Sequence, residues 1–312
     1  MTGVVDTLSA GYGVINHRPW ILFLPILLDL FFWFGPQISV APLVGQVLTR
    51  PGIQRGLGPN GEQAFESIRQ VVVASADDLN MLALLSPGWI SVPSIMPLMG
   101  GGRGPFTFVD SWSTALPLAL GTLLAGALLG CVFRSLIAQQ VRDEVVNPTE
   151  VPRQAIRAWL RVLGLVLLLF AAGLLLGVPV LFVVAAATLV ARELGSFGMA
   201  LVMTVMLWMQ LYLFFAPDAI FVSQVGPRQA IRRSVAVVRA NFWAAVRIVV
   251  LITIILLGMG QVWLALASRA PWGPALGILG NAYIASGLAA ASMLFYRERM
   301  DALASRRPLV AG

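Results

Sequence analysis

Residues 162–190 read VLGLVLLLFAAGLLLGVPVLFVVAAATLV, nearly thirty residues without one charged side chain. Crossing about 30 Å of hydrocarbon takes about 20 such residues, so lipid is the natural solvent for this run. With water excluded, each backbone N–H and C=O must be satisfied within the segment, which makes it helical. Gly177 and Pro179 fall inside it, and its surplus length predicts a tilt or kink there.

Five more apolar runs flank this one: Trp20 to about Val40, Trp112–Ala138, Ser196–Ala216, Trp243–Ala267 and Pro274–Phe295. Ser39-Val40-Ala41 has the small residues of a signal-peptide cleavage site. Pro42 directly after it, the length of the run and the residues before it favour a retained helix. The chain as a whole is 58% hydrophobic and 11% charged, with mean hydropathy +0.85. A soluble domain carries about 25% charged residues. The expected fold is therefore an all-α integral membrane protein with six transmembrane helices, one membrane domain over residues 1–312.

All 21 basic residues are arginine, and the formal net charge is +7. If the N-terminus is inside, fifteen of the 21 arginines fall on the inner side. The outer six are Arg50, Arg55, Arg69, Arg103, Arg192 and Arg269, four of them in one long loop at about 41–111. Both termini are thus expected in the cytoplasm. The arginines lie beside apolar runs, not interleaved with aromatics on a solvated scaffold, which argues against nucleic acid. Within the long loop, Phe65, Ile68, Val72, Leu79 and Leu82 approximate a helical stripe, with Glu62, Glu66, Asp77 and Asp78 on polar positions. The Pro- and Gly-interrupted stretch from Ser86 to Gly102 is too short to span and is expected on the outer leaflet or capping the bundle.

Pro152-Arg153-Gln154-Ala155-Ile156-Arg157 recurs letter for letter as Pro227-Arg228-Gln229-Ala230-Ile231-Arg232. Both copies precede an apolar run on the inner side, and proline suits a first helical turn. At about 100° per residue, Ile231, Val235, Val238 and Phe242 form an apolar arc with Arg228, Arg232 and Arg239 beside it. In the first copy Ile156, Trp159, Leu160 and Leu163 form the arc, flanked by Arg153, Arg157 and Arg161. Such a helix lies in an interface, apolar face toward acyl chains and arginines reaching headgroups. Val4, Leu8, Tyr12 and Ile15, ahead of His17-Arg18-Pro19-Trp20, make a weaker third version. The expected plan is three interfacial elbows, at about 3–18, 151–161 and 227–242, each entering a transmembrane hairpin. All three point the same way, unlike the inverted repeats of many secondary transporters.

The stretch FFAPDAIFVSQVGPRQAIRRSVAVVRANFWAAVRIVVLI, Phe214–Ile252, resembles a bacterial six-helix membrane superfamily. That superfamily includes the membrane domain of some glycerophosphodiester phosphodiesterases. The resemblance rests on Pro217, Ala230, Arg233, Ser234, Arg239, Asn241, Phe242 and Trp243. It covers about forty residues and, beyond them, only a hydropathy pattern. It implies the fold and topology and transfers no activity; the chain is expected in the inner (cytoplasmic) membrane.

Ionisable groups within spans are functional candidates. Asp29, ten residues into the first run, is expected near mid-bilayer, paired with Arg134 or hydrogen-bonded to Asn281, Gln261 or Gln210. A helix-holding contact is the favoured role over a proton or ion site. Asp218 is expected near the elbow arginines. Cys131 and His17 are the only cysteine and histidine, so no disulfide, zinc or other metal pattern can form and no cofactor is expected. HExxH, GxSxG and phosphate-loop templates find no match, and Gly100–Gly104 lacks the lysine such a loop needs. The Gly126/Gly130, Gly173/Gly177 and Gly273/Gly277 pairs suggest close helix packing within a bundle or between copies.

The expected function is therefore non-enzymatic: an accessory or scaffold in envelope or lipid homeostasis, binding anionic headgroups through Arg153, Arg157, Arg228, Arg232 and Arg239. A second copy or another membrane protein would be its partner. The alternative is a transporter or permease component for a small or lipid-like solute, with Asp29, Gln210 and Asn281 lining one polar cavity. A lipid-acting enzyme is third, and would need polar groups clustered at headgroup depth.

Overall fold

A computed structural model describes residues 3–48, 80–86, 88–100, 102–143, 147 and 149–305. The stripe positions Phe65, Ile68, Val72 and Leu79, the acids Glu62, Glu66, Asp77 and Asp78, and Arg50, Arg55, Arg69, Arg306 and Arg307 lie outside them. Helices dominate: α1 (Val4–His17), α2 (Phe23–Phe34), α3 (Ala41–Leu48), α4 (Met96–Met99), α5 (Trp112–Asp143), α6 (Val151–Val190), α7 (Arg192–Leu213), α8 (Ala216–Val222), α9 (Pro227–Ala240), α10 (Phe242–Arg269) and α11 (Gly273–Ser305). Among the described residues, five stretches are long and apolar enough to cross a membrane: α5, α6, α7 with α8, α10 and α11. α1 and Pro19–Phe34 pass the same test only when taken together as one broken span. The chain is a multi-pass helical membrane protein.

Three expected details change. The first run does not reach Val40 as helix, because Gly35-Pro36 stops α2 at Phe34. Proline excludes the preceding residue from helical ψ, and Gly35 is extended at φ −76°, ψ 174°. The chain then enters a short parallel pair, β1 (Gln37–Ser39) with β2 (Phe106–Phe108), in the register Gln37↔Phe106 to Ser39↔Phe108. Second, α6 meets Pro179 with a π-helical stretch at Gly173–Gly177. Proline lacks the N–H for its place in the ladder, and a wider turn absorbs the fault. Third, the elbow at 151–161 is not a separate helix: α6 runs unbroken through it, whereas α9 is separated from α10 at Asn241.

Two compact units divide the chain. The first comprises Met1–Arg18, Arg134–Ile255 and Gly287–Gly312. In it α1 crosses α11 closely: a Cβ on Gly11 would lie 2.6 Å from the Gly287 carbonyl oxygen and the Ala291 Cβ. The face of α1 turned inward carries Thr7, Gly11 and Ile15, so of the expected stripe Ile15 is buried and Val4, Leu8 and Tyr12 are half-buried. The two repeat helices also pack together, Gly164 of α6 leaving room for the Pro227 ring. Ala155 and Ala230, the same position of the two hexapeptides, are both fully buried.

The second unit comprises Pro19–Phe133 and Leu256–Ser286. Its distinctive part is the segment between Asn80 and Gly100, whose Met81, Leu82, Ile90, Val92, Ile95 and Met96 are buried. Gly126 and Gly130 of α5 face it: added Cβ atoms there would overlap the Leu85 and Ile90 carbonyls. At 1.5 Å per residue these glycines lie about 21 and 27 Å from the start of α5. The segment thus packs deep along the length of α5, well past that helix's first turns. Those glycines pack closely, as their spacing suggests, but against irregular backbone. Gly273 abuts the turn of its own hairpin at Leu266, and Gly277 the Met99 side chain. Gly173 and Gly177 have nothing within 4 Å of a Cβ, so that pair packs no helix within the described chain.

Candidate functional site

Three arrangements carry polar chemistry. The first is the pair of repeat helices. α6 buries Val151, Ala155, Ala158, Val162 and Leu165, and α9 buries Ala230, Ser234, Val237 and Val238. Those faces hold small residues that let helices approach. The arginines therefore point away: Arg153, Arg157, Arg228, Arg232 and Arg239 are all exposed. None of the five is in an ion pair among the described residues. Ile156 and Leu160, beside them, are 52% and 59% exposed, which leaves an apolar strip next to the charges. Ser234 fixes α9 by donating to the Tyr212 carbonyl of α7 at 2.6 Å. An open groove lies between the helices, lined by Gly164, Leu167 and Leu168 on α6 and by Gly226, Pro227, Arg228 and Gln229.

The second is a buried polar network around Asp218 at the start of α8. Arg134 Nη1 of α5 donates to Asp218 Oδ1 at 3.3 Å, and Ser292 of α11 donates to Oδ2. The Tyr296 and Ser223 hydroxyls are 2.9 Å apart, and Arg233 of α9 reaches the same tyrosine. Phe215 and Phe295, both fully buried, stack at 5.3 Å, and Arg299, 4% exposed, lies over the Phe295 ring. In so apolar a setting a lone carboxylate would be costly, and the guanidinium and hydroxyl offset this.

The third is Asp29 in the second unit, fully buried on α2. Its Oδ1 accepts from the Ser94 hydroxyl and from the Ile95 and Met96 amides, the latter two at 3.0 Å. It thus satisfies the backbone where the deep segment begins α4. Other side chains serve the rest of that segment. Asn80 Oδ1 accepts from the Ile38 and Leu82 amides, Ser86 donates to the Val92 carbonyl, and Ser91 to the Gly88 carbonyl. Irregular backbone away from water needs such partners.

Within the second unit Asp29 is held by Ser94, Ile95 and Met96 and not by Gln261 or Asn281; within the first, Arg134 pairs with Asp218. Gln210 is exposed on α7 and Asn281 is half-buried on α11. The physical reason is local: the deep segment brings its own amides to Asp29, so no distant side chain is needed. Sequence reading overlooked Ser94, Ser292, Tyr296 and Ser223. Hydroxyls in apolar runs are common, and no spacing marked these four. Arg233 and Ser234 were accessible through the resemblance over Phe214–Ile252. No family model, curated protein or solved structure matches the chain.

Proposed function

We propose that this chain is a non-catalytic protein of a bacterial inner membrane, an accessory or scaffold in envelope or lipid homeostasis, that holds anionic phospholipid headgroups on α6 and α9. The observation that carries the reading is the identical hexapeptide on two helices packed together, with exposed arginines outside any ion pair among the described residues. The excess of arginine on one side supports six spans in three elbow-and-hairpin units with both termini cytoplasmic. The likeness of Phe214–Ile252 to the bacterial six-helix superfamily points the same way. Each arginine near an anionic surface contributes about 1 kcal/mol. Native mass spectrometry of the protein from phosphatidylglycerol-containing detergent should therefore show about a fivefold fall in retained anionic lipid for each of Arg153→Gln, Arg157→Gln, Arg228→Gln and Arg232→Gln. Retention equal to wild type in the quadruple variant would sink the reading.

A second reading, a transporter or permease component, is favoured by the deep, irregular segment against Asp29. Non-helical backbone at membrane depth occurs where it is buried in protein or lines a cavity. In its proton-coupled form, proteoliposomes loaded with a pH-sensitive dye would show a proton flux that Asp29→Asn abolishes. Flux no greater than in protein-free vesicles removes that form.

A further inference from the structure

We infer that the groove between α6 and α9 seats one anionic phospholipid, its phosphate at Arg228 and one acyl chain along Leu167 and Leu168. This rests on the lipid-binding reading above and narrows it from a charged surface to a single site. Gly164 lets the two walls meet at one end of the groove: a Cβ there would lie 3.0 Å from the Pro227 ring. One wall is thereby hydrocarbon, with Leu167 66% exposed and the wall continuing through exposed Phe170 and Leu174. The other wall begins α9, a helix with four arginines and no acidic residue.

The chemistry of the two walls selects the occupant. A soluble anion would use Arg228 but leave the leucine wall bare. A neutral acyl chain would cover the leucines and ignore the charge. An anionic phospholipid matches both at once, with a charged group beside the start of a chain of methylenes. The first turn of α9 adds weakly to this, because no side chain caps its amides.

The test fills the groove without touching an arginine. Leu168→Trp and Gly164→Leu are purified beside wild type and the Arg153→Gln/Arg157→Gln variant. Phosphatidylglycerol retained per chain is then counted by native mass spectrometry. The expected result is loss of one tightly held lipid from both groove variants, with the remaining lipids kept. If Gly164→Leu does not fold, Leu168→Trp gives the same reading from another position on the α6 wall. Groove variants that retain as much lipid as wild type, while the arginine variant loses it, overturn the groove and leave the broader reading intact. Loss from none of the variants overturns both. Displacement of the lipid by millimolar inorganic phosphate would also overturn the inference, since it would make the site an anion site indifferent to the chain.

Discussion

Asp218→Leu is expected to destabilise the protein by about 3–5 kcal/mol, the cost of removing one partner from a buried ion pair. The substitution removes the carboxylate opposite Arg134 and takes away the acceptor used by Ser292. The pair itself is not expected to be worth that much. Its separation of 3.3 Å is ordinary, and two charges drawn from water lose solvation that their attraction only partly restores. The double variant Arg134→Met/Asp218→Leu removes both charges and keeps the volume, so it should recover most of the lost stability. Unfolding in detergent by denaturant titration distinguishes the cases. A double variant as unstable as the single would mean that Asp218 acts through its hydroxyl partner Ser292, with Arg134 incidental. Asp218→Asn separates these further, because it keeps an acceptor for Ser292 while removing the charge.

The sequence foretold the spans better than their faces. Five apolar runs lie in helices long and apolar enough to span, because length and lack of charge leave lipid as the solvent, although α6 begins at Val151, ahead of its run, and α11 continues past Phe295 to Ser305. The first run was read too long, although Gly35-Pro36 carried the stop in plain view. At the repeat helices, periodicity found an apolar arc but could not say what it faces. In water an apolar arc points to protein; in a membrane it can equally point to lipid. The small residues settle that: Ala155, Ala158, Ala230 and Ser234 pack against neighbours, while Ile156 and Leu160 do not. The partners of Asp29 and Asp218 were not legible at all, since 65 and 74 residues separate them from Ser94 and Ser292. Nor was the β pair, whose strands are three residues each and far below the length at which alternation shows.

Asp29→Ala is expected to release the segment from Met81 to Met99, at a cost of about 3–6 kcal/mol in lost hydrogen bonding. Three donors lose one oxygen: the Ser94 hydroxyl and the Ile95 and Met96 amides. Each buried donor left without an acceptor costs about 1–3 kcal/mol, with some relief if the segment moves toward water. Asp29→Asn keeps an acceptor at the same place and should lose far less, since the donors do not need a charge. A cysteine in place of Val92, which is fully buried in wild type, reports the release directly in a Cys131→Ser background. Maleimide should label Val92→Cys slowly when Asp29 is intact or replaced as Asp29→Asn, and quickly in Asp29→Ala. Gly130→Val offers an independent route to the same state, because its side chain would displace the Ile90 carbonyl while leaving the carboxylate in place. Fast labelling in both Asp29→Ala and Gly130→Val makes Asp29 an anchor for the segment. Slow labelling in Asp29→Ala would mean that the contacts at Gly126 and Gly130 hold the segment alone, and Asp29 would then need another reason to be buried.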